Sequence, residues 1–230
     1  MSKEEQKNIP NCIGIIPDGN RRWAKQHGLP SFEGHRRGGK KFRELLFWCR
    51  EAGIKNVVVY AFSTENWQRS EQEVAFLKQI LRETLEDFKD EETSLRFVGE
   101  VESFGEEFLE LTQKLESETL GRKYRLFVAF SYGGRAELLT AAKKIATEKT
   151  ADEIQNLSAR DFKEALWSSD LPDIDLIVRT SGEKRLSNFF PWQSVYSELF
   201  FVPSYWPEFS REEFFHILEE YETRDRRKGK

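Results

Sequence analysis

The stretch that decides the fold is Cys12-Ile-Gly-Ile-Ile-Pro-Asp-Gly-Asn-Arg-Arg-Trp-Ala24. Its apolar run is too short for a helix and stops at Pro17-Asp18-Gly19-Asn20, after which a helical pattern begins. The stretch therefore predicts a strand, a tight loop and a helix. Such a junction brings Asp18 to the carboxyl edge of a sheet and points a helix N-terminus at whatever binds there.

The loop of this junction has the residues of an anion site. Gly19 allows the backbone to approach a ligand closely, and Arg21 and Arg22 add positive charge to the helix N-terminus. A carboxylate beside two arginines suits a diphosphate that is bridged by Mg²⁺. A capped helix with a surface ion pair explains this stretch alone equally well.

Composition narrows the class of protein. A chain of 230 residues with a net charge of −4 fits one α/β domain and is not basic overall, which disfavours duplex nucleic acid as a partner. Cys12 and Cys49 lie on apolar segments without metal-ligand spacing and are expected to be reduced core residues, which favours the cytosol. No apolar run approaches the roughly 18 residues of a membrane span, so we expect any contact with lipid to be peripheral.

Strand and helix patterns alternate along the rest of the chain. Beyond the first strand, strands are predicted at 56–62, 95–98, 124–130, 173–178 and 198–202, with helices at 33–53, 70–88, 105–117, 136–148, 158–167 and 210–223. The alternation predicts an α/β fold: one domain, 1–230, with a central, mostly parallel sheet flanked by helices. Residues 1–10 and 224–230 are expected to be flexible ends.

Polar residues follow four of the predicted strands. Because carboxyl ends of parallel strands share one edge, we expect these loops to converge on a ligand crevice. They would bring together Asp18, Asn20, Arg21 and Arg22; Ser63, Glu65, Asn66 and Arg69; Arg135; and Arg179, Arg185 and Ser187. The density of arginines suits two diphosphates. Aromatic residues nearby would suit an apolar tail, although core packing explains each of them alone: Trp23, Phe62, Trp67, Phe189, Phe190 and Trp192.

Other site motifs are missing from the sequence. It contains no P-loop, no Gly-x-Gly-x-x-Gly, no Gly-x-Ser-x-Gly and no zinc pattern. His27 and His216 are interpreted as surface residues. His35, at a predicted helix start, suits either an anion or a structural cap.

Six segments, in chain order, carry a family resemblance: Asp18-Gly-Asn-Arg-Arg-Trp-Ala, Gly34-His35, Tyr60-Ala-Phe-Ser-Thr-Glu-Asn-Trp, Tyr132-Gly-Gly-Arg, Arg179-Thr-Ser-Gly-Glu-Lys-Arg-Leu-Ser-Asn-Phe and Trp192-Gln-Ser-Val-Tyr-Ser-Glu198. They resemble the cis-prenyltransferases, the family of undecaprenyl and dehydrodolichyl diphosphate synthases. The resemblance implies a Mg²⁺-dependent enzyme that condenses isopentenyl diphosphate onto an allylic prenyl diphosphate. It also implies an undecaprenyl-like carrier lipid as product, a catalytic homodimer in the cytoplasm, and peripheral membrane contact during product release.

The same resemblance assigns roles to residues. Asp18 and Glu198 would share the metal. The chemistry of this reaction makes Asn20 and Ser63 candidates to orient the proton that the isopentenyl unit loses, with either a diphosphate oxygen or a side chain as its acceptor. Substrates would contact Gly19, Arg21, Arg22, Trp23, His35, Phe62, Glu65, Asn66, Trp67, Arg69, Arg179, Arg185 and Ser187. Ala61, Tyr124 and Leu126 would line a hydrophobic product tunnel, with Tyr124 near its closed end. Arg227 and Gly229 would reach the active site of the partner in a dimer.

Departures from the family pattern concern the primer site and the product. Arg21 stands where many bacterial members have glycine, and Ser31 stands where they often carry an arginine that binds phosphate. The 74–99 segment is shorter than in undecaprenyl synthases, which leaves product length open. Two alternatives remain at this point: a noncatalytic partner subunit of the same fold, and a binding module for phosphorylated ligands or single-stranded RNA.

Overall fold

The computed structural model describes residues 8–88 and 90–225, which form one α/β domain around a six-stranded sheet. Within that part of the chain all neighbouring strands are parallel, in the order β3-β4-β2-β1-β5-β6. The strands are β1 (Cys12–Ile16), β2 (Asn56–Tyr60), β3 (Thr93–Val98), β4 (Tyr124–Ala129), β5 (Leu176–Arg179) and β6 (Glu198–Phe201). The predicted α/β class is confirmed.

Helices connect the strands and cover both faces of the sheet. They are α1 (Asn20–Gln26), α2 (Ser31–Glu51), α3 (Glu71–Glu86), α4 (Glu106–Thr119), α5 (Gly134–Glu148), α6 (Ala151–Gln155), α7 (Ala159–Glu164) and α8 (Arg211–Thr223). The short α6 was not predicted, and the strands predicted at 56–62 and 124–130 end earlier because the chain turns into loops at the sheet edge. None of the helices in 8–88 or 90–225 is long and apolar enough to cross a bilayer.

Side chains alternate between two buried cores along each strand. Ile13 and Ile15 of β1 join the core on one face, whereas Cys12 and Ile16 join the core on the other. This burial of both faces explains why the strands are continuous apolar runs. Cys12 and Cys49 are buried and unpaired, as the sequence predicts.

The connections of β1 and β5 leave the sheet in opposite directions. From β1 the chain goes to β2 on one side, and from β5 it goes to β6 on the other, while β1 and β5 are themselves neighbours. A crevice opens at such a point beyond the carboxyl ends of the strands. The loop that contains Asp18 and the end of β5 at Arg179 therefore face each other across it.

Two glycines let α2 pack tightly against this loop. A Cβ on Gly34 would lie 2.0 Å from the carbonyl oxygen of Asn20, and one on Gly38 would lie 2.4 Å from Asn20 Oδ1 and 2.9 Å from Trp206 Cδ1. The indole of Trp206 also donates a 2.9 Å hydrogen bond to the carbonyl of Gly38. Close approach of α2 thus fixes the first residue of α1.

We expect Gly38→Ala to lower the free energy of unfolding by about 1–3 kcal/mol, because the added methyl group must push Asn20 and Trp206 aside. Gly39→Ala is the matched control on the same helix, since its Cβ would meet only Thr84 Oγ1 at 3.4 Å. It should raise the free energy of unfolding by up to about 1 kcal/mol through helix propensity. Urea denaturation measures both; equal effects at the two positions would contradict this packing account.

Candidate active site

Asp18 lies at the centre of the crevice and is held through its backbone. Its carbonyl oxygen accepts hydrogen bonds from Thr180 Oγ1 at 2.6 Å and from the amide of Trp206 at 3.0 Å. Gly19, at φ 103°, turns the chain directly into α1. The carboxylate is thereby fixed between the ends of β1 and β5.

Two arginines bind the Asp18 carboxylate, one oxygen each. Arg179 Nη2 donates to Oδ2 at 2.8 Å and Arg22 Nη2 donates to Oδ1 at 3.1 Å. Burial alone would raise the pKa of Asp18, but hydrogen bonds and charge from Arg179, and then from Arg22, outweigh it and lower that pKa below its ordinary value. Asp18 is therefore a carboxylate at neutral pH.

Arg179 is the more buried of the two arginines, with only 5% of its side chain exposed. Its Nη1 donates to Ser187 Oγ at 2.8 Å and to the carbonyl of Arg185 at 2.6 Å, while its buried Nε has no partner. One guanidinium thus joins Asp18 to the loop that follows β5.

Two open pockets lie on either side of Asp18. The first, about 540 Å³ and here called the α1 pocket, is lined by Pro17, Asp18, Gly19, Asn20, Arg21, Arg22, Lys25, Leu29, Ser31, His35 and Arg69. The second, about 570 Å³ and here called the β5 pocket, is lined by Ile16, Pro17, Asp18, Tyr60, Ser63, Glu65, Asn66, Arg69, Arg135, Arg179, Ser187 and Asn188. Pro17, Asp18 and Arg69 are common to both, so the two pockets meet at one carboxylate.

An apolar cavity of about 130 Å³ meets both pockets at Pro17 and runs between α2, α3 and the sheet. It shares Asn20 and His35 with the α1 pocket, and Tyr60 with the β5 pocket. Its far part is lined by Leu85, Phe88, Leu95 and Leu126. The structure therefore offers two cation-lined pockets and one apolar space that meet at a single junction.

Two buried polar atoms at this junction have no partner: Asn20 Oδ1 and His35 Nε2. Burial lowers the pKa of His35 to about 4, and the charges of Arg69 and Arg21 add to the effect. The imidazole is therefore neutral at pH 7 and supplies a hydrogen bond, not a charge. His35 lies within α2, one turn after its start, so of the two predicted roles it is not a cap.

Carboxylates neutralise several of the arginines in this structure. Glu73 accepts a hydrogen bond from Arg69 at 3.0 Å and lies 3.6 Å from Arg21. Glu183 accepts from Arg22 at 2.9 Å and also pairs with Arg185. A bound anion would therefore compete with side-chain carboxylates for these cations.

A metal ion at this site would need coordinating oxygens from a bound substrate in addition to those of the protein. Among residues 8–88 and 90–225 no cluster of three or more acidic, His or Cys side chains could hold a metal by itself. Asp18 is nevertheless an ionised carboxylate open to both pockets. A single carboxylate fits Mg²⁺ that is shared with phosphate oxygens, which is the usual way that proteins bind this ion.

The structure brings most of the predicted site residues together on the walls of these three spaces. Four lie elsewhere. Trp23 is buried and donates to Glu208 at 2.9 Å, and Phe62 and Trp67 pack with their ring centroids 4.9 Å apart in the core. Arg185 is 57% exposed at the rim and contributes its carbonyl, not its side chain, to Arg179.

The remaining aromatic residues also pack away from the pockets. Phe189 and Phe190 are fully buried in one core, and Trp192 stacks on Phe162 at 4.8 Å. Core or surface packing, which explained each of them singly, is thus the observed role. The cavity is lined instead by aliphatic side chains and by other aromatic residues, among them Phe42, Phe88 and Phe130.

Ala61 and Leu126 line the apolar cavity, as predicted for tunnel residues, but Tyr124 does not. It lies two residues before Leu126 on the same strand face, and Lys123 Nζ lies 4.8 Å from the centre of its ring. The cavity ends before it reaches Tyr124. Leu126 is therefore the residue of β4 that bounds the far part of the cavity.

The predicted metal pair of Asp18 and Glu198 is not formed within one chain. Glu198 begins β6 in register with Leu176, three residues and about 10 Å before Arg179 on the neighbouring strand. Its carboxylate accepts a 2.7 Å hydrogen bond from Arg224. Within one chain the two carboxylates are kept apart because parallel strands place their amino ends and their carboxyl ends at opposite edges of the sheet. A metal shared by Asp18 and Glu198 stays a prediction.

The C-terminal prediction is tested only in part. Arg224 was expected to belong to a flexible end, yet it bonds to Glu198 and, at 2.6 Å, to Glu220. Arg227 and Gly229, predicted to reach a dimer partner, lie outside the described residues. So do residues 1–7 of the predicted flexible N-terminal end.

Several lining residues were not singled out from the sequence: Lys25, Leu29, Tyr60 and Asn188. Lys25 and Leu29 resemble ordinary surface residues in the sequence, and Tyr60 resembles a core residue. Asn188 lies in the quoted motif that begins at Arg179, but its backbone conformation, φ 69°, could not be read there. Only the position of this motif after a strand pointed to it.

The parallel sheet thus carries two cation-lined pockets that share Asp18, and an apolar cavity that meets both pockets at Pro17. The family described as "Putative undecaprenyl diphosphate synthase" matches residues 16–229. An "Isoprenyl transferase" of Thermotoga maritima is 41% identical, over 96% of this chain and 97% of that protein. The chain therefore belongs to the undecaprenyl diphosphate synthase family of cis-prenyltransferases.

Other relatives agree with this family. A "Tritrans,polycis-undecaprenyl-diphosphate synthase (geranylgeranyl-diphosphate specific)" of Thermoplasma volcanium is 44% identical over all of this chain and 93% of that protein. The crystal structure of lavandulyl diphosphate synthase from Lavandula x intermedia, in complex with dimethylallyl diphosphate, superposes with a TM-score of 0.89 at 29% identity, covering 96% of this chain and 99% of that one. A probable undecaprenyl diphosphate synthase from Campylobacter jejuni gives 0.79 at 31% identity, covering 97% and 100%.

The neutral state of His35 predicts a pH dependence of stability. Between about pH 6.5 and about 4 the unfolded chain binds a proton at this residue that the folded protein does not bind, so stability falls as pH drops through that window. His35→Gln should make the fall shallower. His216→Gln is the control, since that side chain is 78% exposed. Denaturant unfolding at a series of pH values measures it, and an unchanged slope in His35→Gln would refute the assignment.

Proposed function

We propose that the protein is a cis-prenyltransferase that condenses isopentenyl diphosphate with an allylic prenyl diphosphate and repeats the step to make a cis-polyprenyl diphosphate. The observation that carries the proposal is the junction at Pro17, which lines both cation-lined pockets and the apolar cavity, beside Asp18, which lines the two pockets. Two diphosphates and one growing hydrocarbon chain need these three compartments.

The shared walls support one substrate for each pocket. The α1 pocket shares Asn20 and His35 with the apolar cavity, so an allylic diphosphate bound there directs its hydrocarbon chain into the cavity. The β5 pocket, with Arg135, Arg179 and Ser187, is left for isopentenyl diphosphate, whose tail is only five carbons long. This agrees with the roles that the family resemblance implies.

The chemistry follows from these positions. The allylic C–O bond breaks, a C–C bond forms to the isopentenyl unit, and that unit loses a proton. Negative charge develops on the departing diphosphate, where Arg21, Arg22 and the first amides of α1 stabilise it. The apolar cavity excludes water from the cationic carbon. Asn20, with its free Oδ1, and Ser63 in the β5 pocket are the side chains that would orient the proton.

We propose Mg²⁺ as the cofactor, held by Asp18 together with diphosphate oxygens. Once bound, it would neutralise charge on the diphosphate. The two arginines that now bind Asp18 would then be free to turn part of their hydrogen bonding toward substrate oxygens. Glu198 enters this scheme only if a second chain supplies it.

The surface is compatible with the proposed homodimer and with peripheral membrane contact. In the described residues β6 is an edge strand, with Leu199 partly exposed and Val195 and Tyr196 exposed just before it. An open edge beside exposed apolar residues is a common place for a second copy to bind. Leu29 and Phe32, exposed beside the α1 pocket, would suit contact with lipid.

The runner-up, a noncatalytic subunit of the same fold, is not favoured. Such a subunit has no need for an ionised Asp18 between two arginine pockets, and this chain keeps both. A binding module for phosphorylated ligands or single-stranded RNA would use the arginines, yet it gives no role to the apolar cavity.

The test is incubation with labelled isopentenyl diphosphate, Mg²⁺ and geranyl, farnesyl or geranylgeranyl diphosphate, with sizing of the extracted prenols. We expect incorporation and a medium-length product, no longer than undecaprenyl.

Arg135→Ala should raise the KM for isopentenyl diphosphate roughly tenfold or more, and Arg21→Ala should raise the KM for the primer to the same extent. Each variant loses a charge-assisted contact of about 1.5–3 kcal/mol. Leu126→Ala should lengthen the product, whereas Tyr124→Ala should not.

Arg160→Ala is the matched control, because this arginine is 88% exposed and pairs only with its helix neighbour Glu164. Its KM values should equal those of the wild type. Failure of folded protein to incorporate label with any primer would overturn the proposed function. Exchange of the two KM effects would keep the function and reverse the assignment of the pockets.

A further inference from the structure

Left-handed backbone conformations are concentrated in the segments that follow β4 and β5, and two of these residues, Ser187 and Asn188, line the β5 pocket. Among the described residues, the non-glycine positions with positive φ are Ser131, Ser181, Ser187, Asn188 and Phe190. Ser131 follows β4 and the other four follow β5. Such conformations are uncommon and persist where surrounding contacts hold them. Asn188 is the residue type that adopts this region most readily.

Asn188 makes hydrogen bonds to two other loops. Its carbonyl oxygen accepts from the amide of Gly134 at 2.9 Å, and its Oδ1 accepts from the amide of Arg135 at 2.8 Å. Its Nδ2 donates to Glu65 Oε1 at 3.3 Å. One residue thus connects the loop after β5 to the start of α5 and to Glu65 in the segment after β2.

The contacts with Gly134 and Arg135 serve as a helix cap. The first amides of a helix need acceptors, and residue Gly133, at the N-cap of α5, has no side chain to provide one. Asn188 provides both acceptors from a distant part of the chain. The start of α5 is consequently fixed to the loop after β5.

Each connected loop contributes a polar group to the β5 pocket. Arg135 and Glu65 line the pocket, as does Ser187, which directly precedes Asn188 and accepts a hydrogen bond from Arg179. Movement of any one loop would change the distances between these groups. The spacing of the diphosphate contacts thus depends on Asn188.

We propose that Asn188 is a positioning residue for the isopentenyl diphosphate site. It holds the segments that carry Glu65, Arg135 and Ser187 at the spacing that the diphosphate requires. The inference rests on the proposed function and names a residue that acts through Arg135, Ser187 and Glu65. Its effect is confined to the β5 pocket, because Asn188 lines neither the α1 pocket nor the apolar cavity.

The test compares binding and kinetics in three variants. Asn188→Gly keeps the left-handed backbone accessible and removes the amide. Asn188→Asp keeps an acceptor for Arg135 but places a second carboxylate against Glu65. The double variant Asn188→Asp with Glu65→Gln restores both the hydrogen bond and the net charge, with donor and acceptor exchanged.

We expect Asn188→Gly and Asn188→Asp each to raise the KM for isopentenyl diphosphate roughly tenfold, with the KM for the primer within about twofold of the wild type. The double variant should recover most of the loss of Asn188→Asp. Asn156→Gly, at an exposed asparagine that directly follows α6, is the control and should change neither value. Denaturant unfolding of every variant shows whether the protein remains folded under assay conditions.

Calorimetric measurement of the binding of isopentenyl diphosphate and of the primer distinguishes failure of the proposed function from failure of the positioning role. A wild type that binds neither would overturn the proposed function, and this inference with it. A wild type that binds both, with folded Asn188 variants that bind both equally well, would overturn the positioning role alone. Equal losses for both substrates, or no recovery in the double variant, would also overturn it, since a general structural role predicts those results.

Discussion

The ion pair between Asp18 and Arg179 is the interaction on which the site depends. It joins the ends of β1 and β5, the two neighbouring strands whose connections run in opposite directions and open the crevice. Arg179 is almost fully buried, and a buried guanidinium requires a carboxylate and good hydrogen bonds to offset its lost hydration. The fold supplies both, and this fixes Asp18 in its ionised form.

The other features of the site follow from this fixed carboxylate. One of its sides faces the α1 pocket and the other faces the β5 pocket, so any cation bound by Asp18 is close to anions in both. The glycines of α2 bring the start of α1 against the apolar cavity. Asn188 fixes the opposite wall. Packing of small residues and capping of helices thus set the geometry that the arginines use.

Much of this was predictable, because the strands are continuous apolar runs and polar residues follow them directly. The converging loops of Asp18, Ser63, Arg135 and Arg179 follow from parallel topology alone. The distance between Glu198 and Asp18 within one chain also follows, since the strand predicted at 198–202 begins at Glu198, whereas Asp18 follows the end of β1. Their pairing on a metal came only from the family resemblance. The roles of the aromatic residues could not be predicted, because Phe189 in a core and an aromatic residue on a cavity wall have the same local sequence pattern. The neutral state of His35 depends on burial by distant residues.

The central claim is that one carboxylate couples two anion pockets. Its most direct test is the affinity for isopentenyl diphosphate, measured by calorimetry with Mg²⁺, in the absence and in the presence of an unreactive allylic thiodiphosphate. We expect the allylic analogue to change that affinity several-fold in the wild type, and the change to disappear in Asp18→Asn, which preserves the shape of the side chain but not its charge. Equal coupling in wild type and variant would contradict the account.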